Sequence, residues 1–534
     1  MDRILEDLVK EIPSINKYKN RPFLSILKYI DMAANGGKGF IELSHSEDLS
    51  KKYLKKGFFA DKSEFILKAL EVINNSFNKS GNDKFTNLDL VEDMIKEYED
   101  IYGWHPNDKY LFPCNRYGNF SIKVIIRLMN SKEMKDFIED EFLRYKHIIE
   151  NQIYIVDEKP VNNFIYKILT DIGCEFDDNI FTGEFLYNKF IEFTKSECGF
   201  DKSKFTATFC DPDFVDSTSI GSLRSSTSPF IYQKYVLKSI FFSKIVVCLT
   251  PANWMQTNSI KLKPLSDFRS KIKSGNNLRK ITYLDTYNKY VKNDIITINN
   301  GGLSYFIYEI NYNGPCFIGK KMIDLSKIDI IPTSLENLEL IYFVNEYCKI
   351  NGSLKGIYDG LSGCLKSNDK RLCKEEFGND IKVITSKYST NFYGDKNSGV
   401  MFCDSKKLSY IESKNLNSWK VLIPETCSSA GKGLSSNMIL SEPGELYTNT
   451  FGVFVVNDEK SANSLISYLK TDFVENIISK LKIKNHINKH ILDYLPIIPL
   501  DRKWNSLDIL RYINAPVKII EEISEETILM PIYE

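Results

Sequence analysis

Between residues 108 and 254, short apolar runs alternate with longer segments of helical periodicity. The strand-like runs are KYLFP, NQIYIVDEKP, DNIFTGEFL, KFTATFCDPDF and KIVVCLTPANW. The helix-like segments are NFSIKVIIRLMN, VNNFIYKILTDIG and SPFIYQKYVLKSIF. Strands that alternate with helices in this way are typical of a mostly parallel sheet covered by helices. The alternation therefore predicts the α/β fold class.

Polar or turn-forming residues stand at the ends of these strand-like runs. They occupy positions 113–118, 157, 184, 211–214 and 250–254. Because the carboxyl ends of parallel strands meet at one edge of a sheet, ligands of such folds bind there. We therefore expect these five groups to form the functional edge of the domain.

The periodicity divides the chain into three predicted parts. Residues 1–80 form a polar helical segment, in which Ile4, Leu8 and Ile12 lie about one turn apart. Residues 81–325 hold the alternating pattern and open with the helix-like LDLVEDMIKEY, for which Thr86 is the expected N-cap. Residues 326–534 combine Gly/Ser/Asn-rich segments, short apolar runs and a helical end, which predicts a mixed α+β domain.

Charge and cysteine usage limit the possible ligands. The chain has 70 basic and 70 acidic residues, which excludes a uniformly basic nucleic-acid coat but leaves room for a local basic groove. Its 11 cysteines include no C-x-x-C pair, so we expect free thiols in a reducing compartment and no disulfide framework or zinc site. His486 and His490 lie four residues apart without a further ligand, and no metal site is predicted.

No membrane or secretory segment is expected. The longest apolar stretch, at 239–254, is interrupted by Ser243 and Lys244 and falls short of the roughly 20 residues that span a bilayer. The first residues, MDRILED, contain acids and lead into no small-residue cleavage site. These features predict a cytoplasmic protein.

Several motifs follow one another in a recognisable order from about residue 85 to the C-terminus. They include TNL at 86–88, YLFPCNRYGNF, IYIVDEKP, NIFTGEFL, CDPDF, LTPANWM, NNGGLSYF and LYTNTFGVFVV. In order and spacing they resemble the adenine-N6 DNA methyltransferases that occur as large single chains in restriction–modification systems. The resemblance implies a Rossmann-like S-adenosylmethionine methyltransferase domain, a target-recognition-like domain at 326–534 and double-stranded DNA as partner.

The resemblance also implies a cofactor site, from which this sequence departs. The cofactor-binding positions that match are Pro113, Gly118, Asn119, Phe120, Asp157 and Glu184. Asp157 would hold the ribose, with Glu158 as an alternative one residue later, and Glu184 would meet the adenine amine. Phe112, however, stands where the family has an acid, and Arg116 stands at the first glycine position with the bulky Tyr117 beside it. S-adenosylmethionine is thus the expected cofactor of an active protein, and its binding is predicted to be weak or absent.

The catalytic positions implied by the resemblance are Asp211, Pro212, Asp213 and Phe214. Methylation of adenine requires an extruded base that is held by its edge and its face. Asp211 and the Pro212 carbonyl would accept the two amine hydrogens, and Phe214 would stack on the ring. Asp213 replaces the second proline of the family motif, which loosens this turn. Impaired catalysis is therefore expected.

The segment KLKPLSDFRSKIKSGNNLRK at 261–280 carries seven basic residues and one acid. Such a cluster can contact phosphates, and a solvated flexible loop is the alternative. The predicted DNA-binding residues are Lys261, Lys263, Arg269, Lys271, Lys273 and Arg279.

Three functions remain open on the sequence. The favoured one is a methyltransferase-derived DNA-binding protein, a pseudoenzyme whose cofactor use is impaired or lost. The first alternative is an active, site-specific adenine-N6 DNA methyltransferase. The second alternative is a structural subunit that binds a protein partner in a larger assembly.

Overall fold

The structure is a computed structural model. It describes residues 86–115, 118–157, 179–182, 205–212, 214, 230–256, 263–285, 288–290, 301–360, 365–374, 376–385, 399–424, 438–482 and 489–529. The predicted helical segment at 1–80 and the predicted helix VNNFIYKILTDIG lie outside these residues. The chain forms two compact units, Met1–Ala252 with Ser270–Gly319 and Asn253–Arg269 with Lys320–Glu534. The predicted three-part division, with its boundary at 325/326, stays a prediction.

A twisted, mostly parallel sheet organises the first unit. Its strands are β1 (Tyr110–Pro113), β2 (Ile153–Asp157), β3 (Ile180–Thr182), β4 (Phe205–Cys210), β5 (Ser243–Pro251), β6 (Leu278–Leu284), β7 (Leu303–Glu309) and β8 (Cys316–Ile318). They run in the order β3-β2-β1-β4-β5-β7-β6-β8. The first five are parallel, whereas β7 is antiparallel to both of its neighbours. This order confirms the α/β, Rossmann-like fold class.

Chain order reverses between β1 and β4, which lie side by side in the sheet. In doubly wound sheets, the crevice beyond the carboxyl ends of the strands at this reversal is the ligand site. The segments that leave β1 and β4 are 114–118 and 211–214. The topology therefore brings the predicted cofactor loop and the predicted catalytic group to the same point of the sheet edge.

The helices of this unit include three that the sequence pattern predicted, at LDLVEDMIKEY, NFSIKVIIRLMN and SPFIYQKYVLKSIF. They are α1 (Leu88–Tyr102), α2 (Asn119–Asn130), α3 (Lys132–Phe137), α4 (Glu141–His147) and α5 (Tyr232–Phe242), and α6 (Lys263–Lys273) spans the boundary of the two units. The predicted N-cap of α1 is wrong by one residue. The side chain of Asn87, rather than that of Thr86, accepts the hydrogen bonds from the amides of Asp89 and Leu90.

An aromatic cluster fills the space between α1, α2 and the sheet. Phe209 of β4 lies at its centre, and the Phe112 ring stacks on it at 5.9 Å with an interplanar angle of 14°. The rings of Tyr98, Trp104, Tyr110 and Phe120 also pack against Phe209. Ring pairs of this kind contribute about 0.5–1.5 kcal/mol each beyond their buried area.

Ion pairs fix α1 on its polar side. Glu92 pairs with Lys123 and Arg127 of α2, and Glu97 pairs with Lys280 of β6 at 2.9 Å. The helix is therefore held both by its apolar face and by its carboxylates. Its N-terminus, which carries Thr86, is thereby fixed in the first unit.

The second unit is a mixed α+β structure. Its strands are β9 (Lys321–Ile323), β10 (Tyr358–Gly360), β11 (Ile381–Ile384), β12 (Val400–Cys403), β13 (Trp419–Pro424), β14 (Ile439–Ser441), β15 (Glu445–Tyr447) and β16 (Phe451–Val456). Its helices are α7 (Leu338–Asn351), α8 (Tyr410–Ser413), α9 (Glu459–Leu469), α10 (Asp472–Leu481), α11 (Ser506–Tyr512) and α12 (Val517–Leu529). One sheet has the order β10-β16-β13-β14 and a smaller one the order β12-β11-β15. None of the described helices, in either unit, is long and apolar enough to cross a membrane.

A buried lysine ties the larger of these sheets together. Lys420 of β13 is 0% exposed, and its ammonium donates to the carbonyls of Asn415, Ser418 and Glu442 at 2.6–3.2 Å. Burial lowers the pKa of Lys420 to about 8. The three carbonyls use all of its donors, so Lys420 is a structural residue.

Candidate functional site

A tight turn connects β1 to α2 at the sheet edge. Cys114 and Gly118 both adopt left-handed backbone conformations, with φ of 58° and 85°. The amide of Gly118 donates to the Asn115 carbonyl at 2.8 Å, and the Ser121 hydroxyl donates to Asn115 Oδ1 at 2.7 Å. Glycine is the residue that tolerates such a conformation at low cost, which explains Gly118. Arg116 and Tyr117 lie outside the described residues.

Two buried asparagines flank this turn. Asn115 is 8% exposed and Asn119 is 7% exposed. The Asn119 amide donates to the carbonyl of Thr86 at 2.9 Å. Asn115 Nδ2 and Asn119 Oδ1 are buried without a hydrogen-bond partner, which leaves one donor and one acceptor at the turn. Asn119 was predicted from the sequence, whereas Asn115 was missed because it falls on a variable position of the motif.

The side chain of Asp211 meets Thr86 at the same edge. Asp211 follows β4 directly and is 8% exposed. The hydroxyl of Thr86 donates to Oδ2 of Asp211. Since the carbonyl of Thr86 accepts from Asn119, this residue links the turn after β1 to the acid after β4. Sequence reasoning placed Thr86 at the helix start and missed its contact with Asp211.

Three predicted or suspected site aromatics belong to the apolar core. Phe214 is 4% exposed and Phe120 is 7% exposed, and both belong to the main apolar cluster of the first unit. Phe112 is fully buried in the same cluster. Both rings are thus used in packing in this structure, and the roles predicted for Phe214 in stacking on a base and for Phe120 in binding cofactor stay predictions. Pro212 is buried next to Asp211, and Asp213 lies outside the described residues.

The backbone of Asp157 lies beside the β1–α2 turn. Asp157 ends β2, where Val156 pairs with Pro113 of β1, and the amide of Cys114 donates to the Val156 carbonyl at 3.1 Å. Asp157 itself is in register with Thr182 of β3. The Asp157 side chain, Glu158 and Glu184 lie outside the described residues, so their predicted contacts stay predictions.

The basic segment forms the helix α6, so the alternative of a flexible loop is wrong for 263–273. Lys263 and Lys271 are exposed and Lys273 is half-buried, whereas Lys261 lies outside the described residues. Among the predicted DNA-binding residues, the lysines of this helix are thus the ones whose side chains reach the surface.

The two predicted arginines are structural residues. Arg269 is 1% exposed, and its guanidinium donates to the Trp254 carbonyl at 3.0 Å and lies 3.8 Å from Asp329. Burial lowers its pKa. Arg279 pairs with Glu309 at 2.7 Å and lies over the rings of Tyr102 and Tyr312, at 5.2 and 5.1 Å. Arg269 is too buried in this structure to contact DNA, whereas Arg279 is paired but partly exposed, so its predicted DNA contact stays a prediction.

The described residues contain no group of three or more His, Cys, Asp and Glu side chains that could hold a metal ion. The polar groups that the described residues bring to this edge are the Asp211 carboxylate, the Thr86 hydroxyl and the side-chain amides of Asn115 and Asn119.

Comparison with known proteins gives a methylase relative. No family model matches the sequence. A Mycoplasma pneumoniae protein described as an uncharacterized adenine-specific methylase is 25% identical over 401 residues, which cover 58% of this chain and 92% of that protein. This relative confirms the resemblance to adenine-specific methyltransferases.

Solved structures show more distant likeness. The DrdV–DNA complex, determined by cryo-EM, matches with 11% identity and a TM-score of 0.42 over 92% of this chain and 65% of the DrdV chain. A modification subunit from Vibrio vulnificus matches with 12% identity and a TM-score of 0.33 over 48% of this chain. The chain thus spans about half of that subunit, 52% of its length.

Proposed function

We propose that this chain is a methyltransferase-derived DNA-binding protein, related to the adenine-N6 DNA methyltransferases, whose use of S-adenosylmethionine is impaired or lost. One observation carries the proposal. The position that holds the cofactor-loop acid in the family is Phe112, and its ring is buried on Phe209 in the core. The acid after β4, Asp211, is nevertheless present and hydrogen-bonded.

The residues of the β1–α2 turn do not fit the charged end of S-adenosylmethionine. The ammonium of this cofactor calls for a carboxylate, and Phe112 offers none. Among the described residues of the turn, the buried polar atoms without a hydrogen-bond partner are the uncharged Asn115 Nδ2 and Asn119 Oδ1. A buried ammonium held by a single amide oxygen lacks the charge compensation that it needs. We therefore derive no methyl-transfer step for this chain.

The residues that follow β4 at the sheet edge support the proposal that the chain binds DNA. Thr86 occupies one oxygen of the Asp211 carboxylate, which fixes the orientation of the group. Asp211 together with the neighbouring Pro212 carbonyl offers acceptors for the amine of an extruded adenine. Because Phe214 is packed in the core, stacking on that base would require the segment after β4 to rearrange.

Phosphate contacts are assigned to the exposed face of α6. Lys263 and Lys271 are exposed on this helix, whereas its residues Leu265, Phe268 and Ile272 are buried. Each lysine that neutralises a phosphate adds to affinity and to its salt dependence. Lys261 and Lys273 extend this set, as predicted from the sequence.

The competing function is an active adenine-N6 methyltransferase, which the bond between Thr86 and Asp211 favours. Titration calorimetry with S-adenosylmethionine and salt-dependent titration of duplex DNA together test the proposal. We expect DNA binding with a steep salt slope and no measurable cofactor binding at micromolar concentrations. Micromolar cofactor affinity would support the active enzyme, and absent DNA binding at low salt would support the structural subunit.

A further inference from the structure

Helix α2 begins at a glycine that provides no side-chain cap. The helix spans 12 residues from Asn119 and follows Gly118, its N-cap. Its first turn, whose residues 119–122 are all described, contains no acid. The amides of a first turn have no acceptor within their own helix, and with the helix dipole they amount to about half a positive charge. The amino end of α2 therefore favours a negatively charged partner.

A buried side-chain amide lies at the same end of the helix. Asn115 is buried, and its Oδ1 accepts from the hydroxyl of Ser121, in the first turn of α2, at 2.7 Å. This hydrogen bond orients the amide and leaves Nδ2 as a donor. Nδ2 is buried without a hydrogen-bond partner in the part of the chain that the structure describes. A buried donor without an acceptor costs free energy, which a ligand with acceptor oxygens would recover.

The acids near this turn do not supply the missing acceptor. The turn itself, CNRYG at 114–118, contains no acid, and the residue before Pro113 is the buried Phe112. Asp211 brings a carboxylate to the same sheet edge. In the chain of hydrogen bonds, however, Thr86 stands between Asp211 and Asn119, and its hydroxyl is the donor to that carboxylate. The turn thus has a donor and no negative charge of its own, so it suits an anion better than an ammonium.

We propose that the β1–α2 turn binds a phosphate group, with Asn115 Nδ2 and the first amides of α2 as donors to its oxygens. The proposal rests on that part of the proposed function which takes the use of S-adenosylmethionine as impaired or lost. It inverts the charge of the ligand, because the turn that meets the ammonium of the cofactor in the related family meets an anion in this chain. Phosphate oxygens are well suited to converging amide donors at a helix amino end. DNA binding is not required for this site.

A second buried atom indicates which phosphate fits best. The Nδ2 of Asn119 donates to the carbonyl of Thr86, so its Oδ1 is an acceptor. That oxygen is also buried without a hydrogen-bond partner among the described residues. A hydroxyl beside the phosphate, such as that of a ribose, can donate to it. A nucleoside 5′-monophosphate therefore satisfies both Asn115 and Asn119, and inorganic phosphate is the simpler source of the same charge. Because both atoms are buried, the ligand enters by displacing neighbouring side chains.

The test is a thermal-unfolding titration of the full chain, with affinities measured by calorimetry. The probes are adenosine 5′-monophosphate, inorganic phosphate, adenosine and S-adenosylmethionine, and sodium chloride at matched ionic strength controls for screening. We expect saturable stabilisation by the monophosphate, since a ligand that binds only the folded state stabilises it. Adenosine lacks the phosphate and is expected to bind about tenfold more weakly or less, in line with the loss of hydrogen bonds to a charged group.

Three variants locate the site. Asn115→Asp keeps the shape of the side chain but replaces the donor by a carboxylate, and we expect it to weaken monophosphate binding by about tenfold or more. Ser121→Ala removes the hydroxyl that orients Asn115, and it is expected to weaken binding by about threefold. Asn130→Asp is the matched control, because it makes the same change at the other end of α2, where the exposed side chain donates to the Ile126 carbonyl. It is expected to leave the affinity unchanged.

The outcomes separate this proposal from the proposed function. Micromolar binding of S-adenosylmethionine overturns both, because the turn then accepts a cation. If the chain binds neither phosphate probe, or if Asn115→Asp binds the monophosphate as tightly as Asn130→Asp, the phosphate site is overturned while the loss of cofactor use stands. If Asn115→Asp does not fold, Ser121→Ala decides, and an unchanged affinity overturns the site. Loss of affinity in the variants at positions 115 and 121 alone supports it, and equal affinities for the two phosphate probes identify free phosphate as sufficient.

Discussion

The hydroxyl of Thr86 donates to the carboxylate of Asp211 across 125 positions of the sequence. The contact joins a residue two positions before α1 to the residue after β4, and the carbonyl of the same threonine accepts from the side-chain amide of Asn119 of α2. Three separate segments therefore meet at one side chain. Thr86 is a positioning residue for Asp211 in the proposed base site.

Replacing Thr86 tests this positioning role. Thr86→Val keeps the shape of the side chain but removes the donor, which leaves a buried carboxylate oxygen without its hydrogen bond. We expect a loss of about 1–3 kcal/mol in the free energy of unfolding, measured by urea denaturation. Thr86→Ser, which keeps the hydroxyl, is the control and is expected to recover most of that loss. Equal stability of the valine and serine variants would contradict the role.

Restoring the family's acid is expected to fail as a rescue of cofactor binding. In Phe112→Asp, a carboxylate would enter the apolar ring cluster around Phe209, and the stacking of Phe112 on Phe209 would be lost. We expect destabilisation of at least about 3–5 kcal/mol, the usual cost of truncating a buried phenylalanine. Thermal unfolding measures this loss, and calorimetry with S-adenosylmethionine measures the absence of rescue. A stable variant that binds the cofactor would show that the ring is not required for packing.

A duplex with an unpaired adenine is expected to bind more tightly than its fully paired counterpart. Extrusion of a base costs a few kcal/mol and is cheapest where the base is unpaired. Asp211→Ala should remove this preference and leave the affinity for paired DNA nearly unchanged. Asp213→Pro, which restores the family's turn, should sharpen it. Phe214→Ala is a poor probe, because the loss of a buried ring destabilises the core. The same affinity for both duplexes would mean that the base site is not used.

Substitution of the exposed lysines of α6 is expected to affect DNA binding, whereas substitution of its buried arginine is expected to affect stability. Neutralising Lys263 and Lys271 together should reduce the salt slope of duplex binding by about 2 and leave stability unchanged. Arg269→Gln should lower the unfolding temperature instead, because its guanidinium holds the Trp254 carbonyl inside the second unit. Filter binding at varied salt and differential scanning fluorimetry make the comparison. An altered slope in Arg269→Gln without loss of stability would reverse this assignment.

The buried lysine of β13 is expected to give stability a specific pH dependence. Burial lowers the pKa of Lys420 from its ordinary value of 10.5 to about 8, so the native state releases this proton first. Below pH 8 both states are charged and the cost of burying the charge is fully present. Between pH 8 and 10.5 the unfolded state binds more protons, so stability rises with pH in this window. The unfolding free energy of the unmodified chain should therefore rise from pH 7 to pH 10 relative to that of Lys420→Met, which lacks the titrating group. A constant difference would contradict the lowered pKa.

The alternation of apolar runs and helical segments was sufficient to predict the sheet and the edge at which the segments after β1 and β4 lie. The predicted strand KYLFP appears as β1 and the predicted helix NFSIKVIIRLMN as α2, because their residues bury in the periods that the sequence displays. Local pattern determines which backbone segment ends at the edge. It therefore brought Asp211 and the β1–α2 turn to the right place.

The local sequence pattern did not predict which side chains point into the core and which point to solvent. Phe112, Phe120 and Phe214 follow motif positions, but their rings pack on the core that only the assembled sheet creates. Arg269 and Lys271 lie two residues apart in one basic segment, yet one is 1% exposed and the other is on the surface. A count of charges does not separate the two faces of a helix whose partners come from distant parts of the chain. The hydrogen bond between Thr86 and Asp211 was not predicted for the same reason, because its two residues come from distant parts of the chain.

The stacking of Phe112 on Phe209 makes the loss of the acid at position 112 difficult to reverse in evolution. A single change back to an acid would have to break a buried ring pair before any benefit from a cofactor could appear. The neighbouring rings of Tyr110 and Phe120 would also have to yield space for the carboxylate. A descendant of this chain could therefore vary its surface and its partners while position 112 stays without an acid.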